Sequence, residues 1–149
     1  MTAYNQSITP SSNTLTVGDK FAVYGTLREG CGNYEALRLG SRAKFIGKDT
    51  VDGILFGLHG GYPGLVAEHP EVDTTTVEPV VVEIYEIVEP TLGQSLDGLE
   101  GYYFERQDAS LYLRAETTPH TLQEPVEIYY YNRDFRVESL IESGDWTKR

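Results

Sequence analysis

The run Val80-Val81-Val82-Glu83-Ile84-Tyr85 constrains the fold most. Val80, Val82 and Ile84 alternate with Val81, Glu83 and Tyr85, the two-residue period of a strand. Apolar residues fall on both faces, so a strand over residues 79–88 is expected at the centre of a sheet. Shorter strand patterns surround it at 20–24, 43–47, 51–58, 65–67, 111–115 and 126–131. Asp52-Gly53 marks a bulge or kink in the third of these. The run His59-Gly60-Gly61-Tyr62-Pro63-Gly64 reads as a loop with a sharply specified path. Residues 68–78 read as an exposed polar excursion.

Helical signals are sparse. Tyr34 and Leu37 predict a short helix over 34–39 that ends at Gly40. Pro90 suits a first helical position. Leu92, Leu96 and Leu99 then share one face, and Gly101 supplies a left-handed cap. Many strands and few helices predict an α+β fold, a small, mostly antiparallel β-barrel with one or two flanking helices. At 149 residues the chain is expected to be one domain over 19–149. The Ser-, Thr- and Asn-rich residues 1–18 are expected to be a flexible tail.

The formal charge of −11 argues against a nucleic-acid partner and against an anionic membrane surface. No apolar run reaches the length of a membrane span, and the N-terminus lacks a signal-peptide pattern. Cys31 is the single cysteine, and the three histidines are scattered without metal spacing. These features predict a cytoplasmic protein with no metal and no cofactor. The sequence leaves the oligomeric state open.

Two stretches carry chemistry. Phe21-Ala22-Val23-Tyr24-Gly25-Thr26-Leu27-Arg28 reads as a buried strand ending in a Gly-containing turn. Successive amides in such a turn can hold an oxyanion or a carboxylate. The second is Asp97-Gly98-Leu99-Glu100-Gly101-Tyr102. Glu100 sits at the carbonyl end of the predicted helix, where partial negative charge disfavours a carboxylate. Burial among Leu99, Tyr102 and Tyr103 acts in the same direction, so Glu100 is a candidate base of raised pKa. Asp97 is read as a local hydrogen-bonding or solvent-facing group. Cys31 has no base suggested beside it and reads as a plain thiol.

Tyr24-Gly25-Thr26-Leu27 together with Leu96-Asp97-Gly98-Leu99-Glu100-Gly101-Tyr102 resembles the γ-glutamylcyclotransferase-like superfamily, in particular its AIG2-like branch. Phe45-Ile46-Gly47, Gly53-Ile54-Leu55, Tyr62-Pro63-Gly64-Leu65-Val66, Phe104-Glu105-Arg106 and Ser143-Gly144-Asp145-Trp146 fall in the family's order. The resemblance implies a barrel with a pocket at one end. It implies that Tyr24, Gly25, Thr26 and Leu27 bind substrate and that Glu100 is the acid/base. It further implies cyclisation of a γ-glutamyl amine to 5-oxoproline and free amine. Under that reading Tyr62 and Tyr103 are candidates for the pocket wall. Arg106 either pairs with a substrate carboxylate or forms a structural ion pair with Glu105 or Asp108. The alternative is a non-catalytic protein that sequesters or senses a small molecule in the same pocket.

Overall fold

The computed structural model describes residues 4–28, 30–58, 61–134 and 139–149. Among them, seven strands form two sheets. Strands β1 (Lys20–Val23), β2 (Ala43–Val51), β5 (Val80–Ile87), β6 (Tyr112–Thr117) and β7 (Val126–Tyr131) make a five-stranded sheet of order β2-β5-β1-β7-β6. Strands β3 (Ile54–Leu58) and β4 (Tyr62–Val66) pair as a separate antiparallel ribbon. Three helices, α1 (Gly32–Ala36), α2 (Leu39–Arg42) and α3 (Leu92–Glu100), complete an α+β fold. The two sheets do not join into one hydrogen-bonded ring among the described residues, so the expected barrel is an open pair of sheets.

The Val-rich run is β5, and it lies between β2 and β1. Its two faces feed two cores. Tyr85 and Ile87 join Phe21, Val23, Leu92, Leu96 and Tyr129 on one side of the sheet. Val80, Val82 and Ile84 join Ala22, Tyr24, Ile128, Tyr130 and Trp146 on the other. This explains why β5 and β7 carry apolar residues on both faces: most of their side chains are buried on either side of the sheet. Strand β1 pairs antiparallel with β5 and parallel with β7, which places the end of β1 in the middle of the molecule.

Several local expectations are revised. Helix α1 stops at Ala36, and Arg38 takes a left-handed conformation (φ +53°) before α2 begins. Helix α1 has no buried residue to hold a longer helix against the body. Strand β2 runs to Val51, with its bulge between Phe45 and Gly47. Asp52-Gly53 is the break that carries the chain from one sheet to the other, with Gly53 at φ +145°. Tyr62-Pro63-Gly64 is the start of β4 and not a loop. Proline is tolerated there because a two-stranded ribbon consists of edges. His59 and Gly60 lie outside the described residues.

The stretch expected to be a flexible tail is held to the body from Tyr4 onward. Asn5 is fully buried; its side-chain amide donates to the Tyr131 carbonyl at 2.7 Å and accepts from the Ala67 amide at 3.1 Å. Pro10 bridges to Ala115, and Leu15 is buried against α3. The polar composition hid this because many of the contacts use main-chain groups and polar side chains such as Asn5 and Ser11, and the apolar ones, Tyr4, Ile8 and Leu15, follow no regular period. The fit is close at Gly93, where a Cβ would stand 2.6 Å from Leu15 Cβ. Gly98 on the same helix has open space around it. Gly93→Ala is therefore expected to destabilise the protein by about 1–3 kcal/mol through overpacking. Gly98→Ala is expected to stabilise it by about 0.5–1 kcal/mol. Thermal melts of the two variants check this opposition of sign.

Candidate active site

A cavity of about 500 Å³ opens where the end of β1, the start of β4, the end of α3 and strands β6 and β7 converge. Its lining includes Tyr24, Gly25, Thr26, Leu27, Tyr62 and Glu100. The turn after β1 is closed by the Arg28 amide donating to the Gly25 carbonyl at 2.9 Å. Asn33, at the start of α1, braces it: its side chain donates to Thr26 Oγ1 at 2.7 Å, and its amide donates to the Thr26 carbonyl at 2.9 Å. The amides of Gly25, Thr26 and Leu27 donate to no acceptor among the described residues. Buried amides are ordinarily paired, so three together beside a cavity form a ready place for an anionic oxygen.

Gly25 is required by proximity. A Cβ there would lie 2.7 Å from Pro63 Cδ and nearer still to Cγ. The turn of the large sheet thus rests directly on the proline of the ribbon. Tyr112 fixes that proline by donating its hydroxyl proton to the Pro63 carbonyl at 2.8 Å. Tyr24 donates to the Tyr129 carbonyl at 2.6 Å, and Tyr129 donates to Asp97 Oδ1 at 2.6 Å. Burial pushes all three phenols above their ordinary value. Their protons are committed to hydrogen bonds, which leaves Glu100 as the titratable carboxyl in the cavity lining.

Glu100 is the last residue of α3, ahead of Gly101 in the left-handed cap (φ 65°, ψ 42°). It keeps partial contact with solvent through the cavity while protein packs around the rest of it. Burial, and then the negative charge of Asp97 one turn earlier, push its pKa up to about 7. Asp97 is not a solvent-facing group. It is clamped between Tyr129 and Arg114, whose Nε donates to Oδ1 at 3.1 Å. Arg114, only 2% exposed, also pairs with Glu127, donates to the Asn13 carbonyl, and lies over the Tyr102 ring at 5.4 Å from its centroid. The base of the acid's helix is therefore tied to β6, β7 and the N-terminal segment through one buried guanidinium.

A second buried guanidinium supports the turn. Arg28 donates to Glu83 Oε2 at 3.2 Å on β5 and to Asp145 Oδ1 at 2.7 Å near the C-terminus. Burial pushes the Asp145 carboxyl up. Hydrogen bonds from the Thr147 hydroxyl, Arg28 and the Thr147 amide, with the charge of Arg28, outweigh burial and hold it at about 2.

Of the residues proposed from sequence, Glu100, Tyr24, Gly25, Thr26, Leu27 and Tyr62 meet at the cavity. Tyr103 and Arg106 are not among its lining residues. They stack on each other at the surface, with the Arg106 guanidinium 5.4 Å from the Tyr103 ring centroid. Cys31 precedes α1 and does not line the cavity either. Asn33, Pro63, Leu111, Tyr112 and Tyr129 are lining residues that local pattern did not single out. Their contribution depends on strand register and sheet packing. Among the described residues no group of three or more His, Cys, Asp or Glu side chains could hold a metal ion, and no helix is long and apolar enough to cross a membrane.

The Glu100 carboxyl and the amides of Gly25, Thr26 and Leu27 thus belong to one cavity, whose lining includes no Ser or Cys among the described residues. The chain belongs to the family described as gamma-glutamyl cyclotransferase, AIG2-like, which matches residues 21–148. It is 36% identical over 129 residues to a Vibrio cholerae serotype O1 protein assigned as a γ-glutamylcyclotransferase, covering 85% of this chain and 94% of that one. It is 32% identical over 126 residues to the γ-L-glutamyl-butirosin B γ-glutamyl cyclotransferase of Niallia circulans, covering 83% and 72%. An AIG2-like protein of Mus musculus shares the fold, with a TM-score of 0.60 at 19% identity over 87% of this chain and 88% of that one.

Asp97→Asn removes the negative charge nearest Glu100 on its own helix. The Glu100 titration midpoint is then expected to fall below about 7 by roughly half a unit or more. Carboxyl ¹³C shifts of labelled glutamate, followed against pH in both proteins, measure this directly.

Proposed function

We propose that this protein cyclises a γ-glutamyl amine, releasing 5-oxoproline and the free amine, with Glu100 as the general base and acid. The observation that carries this reading is that Glu100, with a pKa of about 7, shares one cavity with the unpaired amides of Gly25, Thr26 and Leu27. The substrate brings its own nucleophile. Its α-ammonium gives a proton to Glu100, and the resulting amine attacks the γ-carbonyl carbon. A C–N bond forms and the carbonyl π pair moves onto oxygen. When that pair returns, the bond to the leaving nitrogen breaks and Glu100 hands its proton to that nitrogen. The ring nitrogen still holds two protons at that point; the second passes through the regenerated Glu100 carboxylate to the freed amine, which leaves as the ammonium, and no covalent enzyme intermediate forms.

The cavity's remaining work is geometric. A five-membered ring closes only if the γ-glutamyl chain is folded back on itself, and holding it bent removes much of the entropic barrier. The three amides supply donors for the substrate's negative oxygens. A carboxyl whose pKa lies near neutrality can both accept and return a proton, which is the condition for efficient acid–base catalysis at that pH. The likeness to the Vibrio cholerae and Niallia circulans γ-glutamylcyclotransferase relatives supports the same class of reaction.

Glu100→Gln is expected to lower 5-oxoproline release from γ-glutamyl amines by about 10²–10⁴-fold while the circular dichroism spectrum is kept. In the wild type, kcat/KM is expected to rise with pH through a midpoint near 7, the value for Glu100 in the free protein. Full activity of the Gln variant would remove Glu100 from the mechanism.

The same substitution has a stability signature. Below pH 4.5 the carboxyl is protonated in folded and unfolded chains alike. Between 4.5 and about 7 only the unfolded chain releases the proton, so wild-type stability falls as pH rises. Glu100→Gln escapes this cost, so its melting temperature is expected to exceed the wild type's by about 2–6 °C at pH 8 and to match it at pH 4.

A further inference from the structure

We propose that the amine released by this enzyme is bulky and apolar or aromatic, and carries no carboxylate; this rests on the cyclisation reading above. The first argument is space. A γ-glutamyl group has about nine heavy atoms and, at the roughly 30 Å³ that a water molecule claims in the liquid, occupies at most about 270 Å³. The cavity is about 500 Å³, so close to half of it is left for the amine.

The second argument is the surface on which that amine would lie. Leu99 and Leu111 both line the cavity, yet they are 42% and 36% exposed. They stand at its mouth, next to the acid. The Leu111 amide donates to the Gly101 carbonyl at 3.1 Å, which ties the two sides of this lip together. Tyr103 and Phe104 follow directly in the chain and are also exposed. Leu99 and Leu111 are thus exposed large hydrophobic residues that line the cavity, while Tyr103 and Phe104 do not line it. Leaving such side chains in water carries a cost that an apolar ligand relieves. Inside the mouth the wall continues as Tyr62, Pro63 and Tyr112.

The third argument is charge. No Lys or Arg is among the described residues lining the cavity. The guanidinium groups of Arg28 and Arg114 are committed to buried carboxylates. A leaving group bearing its own carboxylate would enter beside Glu100 without a countercharge, in a chain of net charge −11. A cationic amine would meet the apolar lip, not a second free acid.

The test compares kcat/KM for γ-glutamyl amides of ethylamine, phenethylamine, phenylalanine and 1,4-diaminobutane. Phenethylamine and phenylalanine share a ring and differ by a carboxylate. The phenethylamide is expected to exceed the ethylamide by about 10–100-fold, as the burial of a phenyl ring dictates. It is expected to exceed the phenylalanine and diaminobutane compounds by about tenfold or more. Leu99→Asn and Leu111→Asn are each expected to reduce the phenethyl-to-ethyl ratio several-fold. A ratio near one, or preference for the carboxylate-bearing or cationic compound, overturns the proposal. Calorimetric titration of Glu100→Gln with the same four compounds reads the order of affinity without turnover. Absence of turnover in the wild type overturns the cyclisation reading, whereas equal affinities in the Gln variant overturn this one alone.

Discussion

The contact between Gly25 and Pro63 is the constraint on which the site depends. It brings the turn after β1, in the five-stranded sheet, against the first residues of β4, in the ribbon. Any side chain at position 25 would force the sheets apart at the place where the cavity forms. The separation of the sheets elsewhere is set by side-chain packing, which tolerates small adjustment. Here it is set by a missing side chain on one strand and a rigid ring on the other. The proline is itself fixed by the Tyr112 hydroxyl, so the distance is defined from both sides.

Two buried guanidinium groups then hold the walls of the cavity in register. Arg28 leads from the amide turn to β5 and the C-terminal segment; Arg114 leads from the acid's helix to β6, β7 and the N-terminal segment. Each sits among two carboxylates and further hydrogen bonds. A buried ion pair adds little net stability compared with well-packed apolar groups, while loss of one partner costs several kcal/mol. The value of these clusters lies in placing the turn and the helix relative to each other. The cluster around Arg114 has a second effect: it keeps Asp97 in place as a negative charge beside Glu100.

Much of this was legible in the residues. The central strand followed from apolar residues on both of its faces, and the cap at Gly101 followed from one glycine after a leucine stripe. Glu100 stood out because it violates the electrostatic preference of a helix end. Other features were hidden for physical reasons. The N-terminal segment binds in large part through main-chain groups and polar side chains such as Asn5 and Ser11, groups that leave no hydrophobic period. Asp97 looked ordinary because its partners, Arg114 and Tyr129, come from strands whose register the sequence does not reveal. Tyr103 and Arg106 were drawn toward the site by their nearness to Glu100 in sequence. The Gly101 cap and the turns that follow it leave them paired with each other at the surface.

The order of strands in the large sheet has a consequence for how the molecule comes into being. Strand β1 is the first of the described strands, yet one of its two neighbours is β7, the last of them. Tyr129, which walls the cavity and orients Asp97, belongs to that last strand. Strand β2 can therefore pair with β5, and α3 can dock, while the cavity still lacks the wall that β7 supplies. The cavity is fully walled only when β7 joins β1, where Phe21 pairs with Glu127 far along the sequence, and long-range closures of this kind are slow.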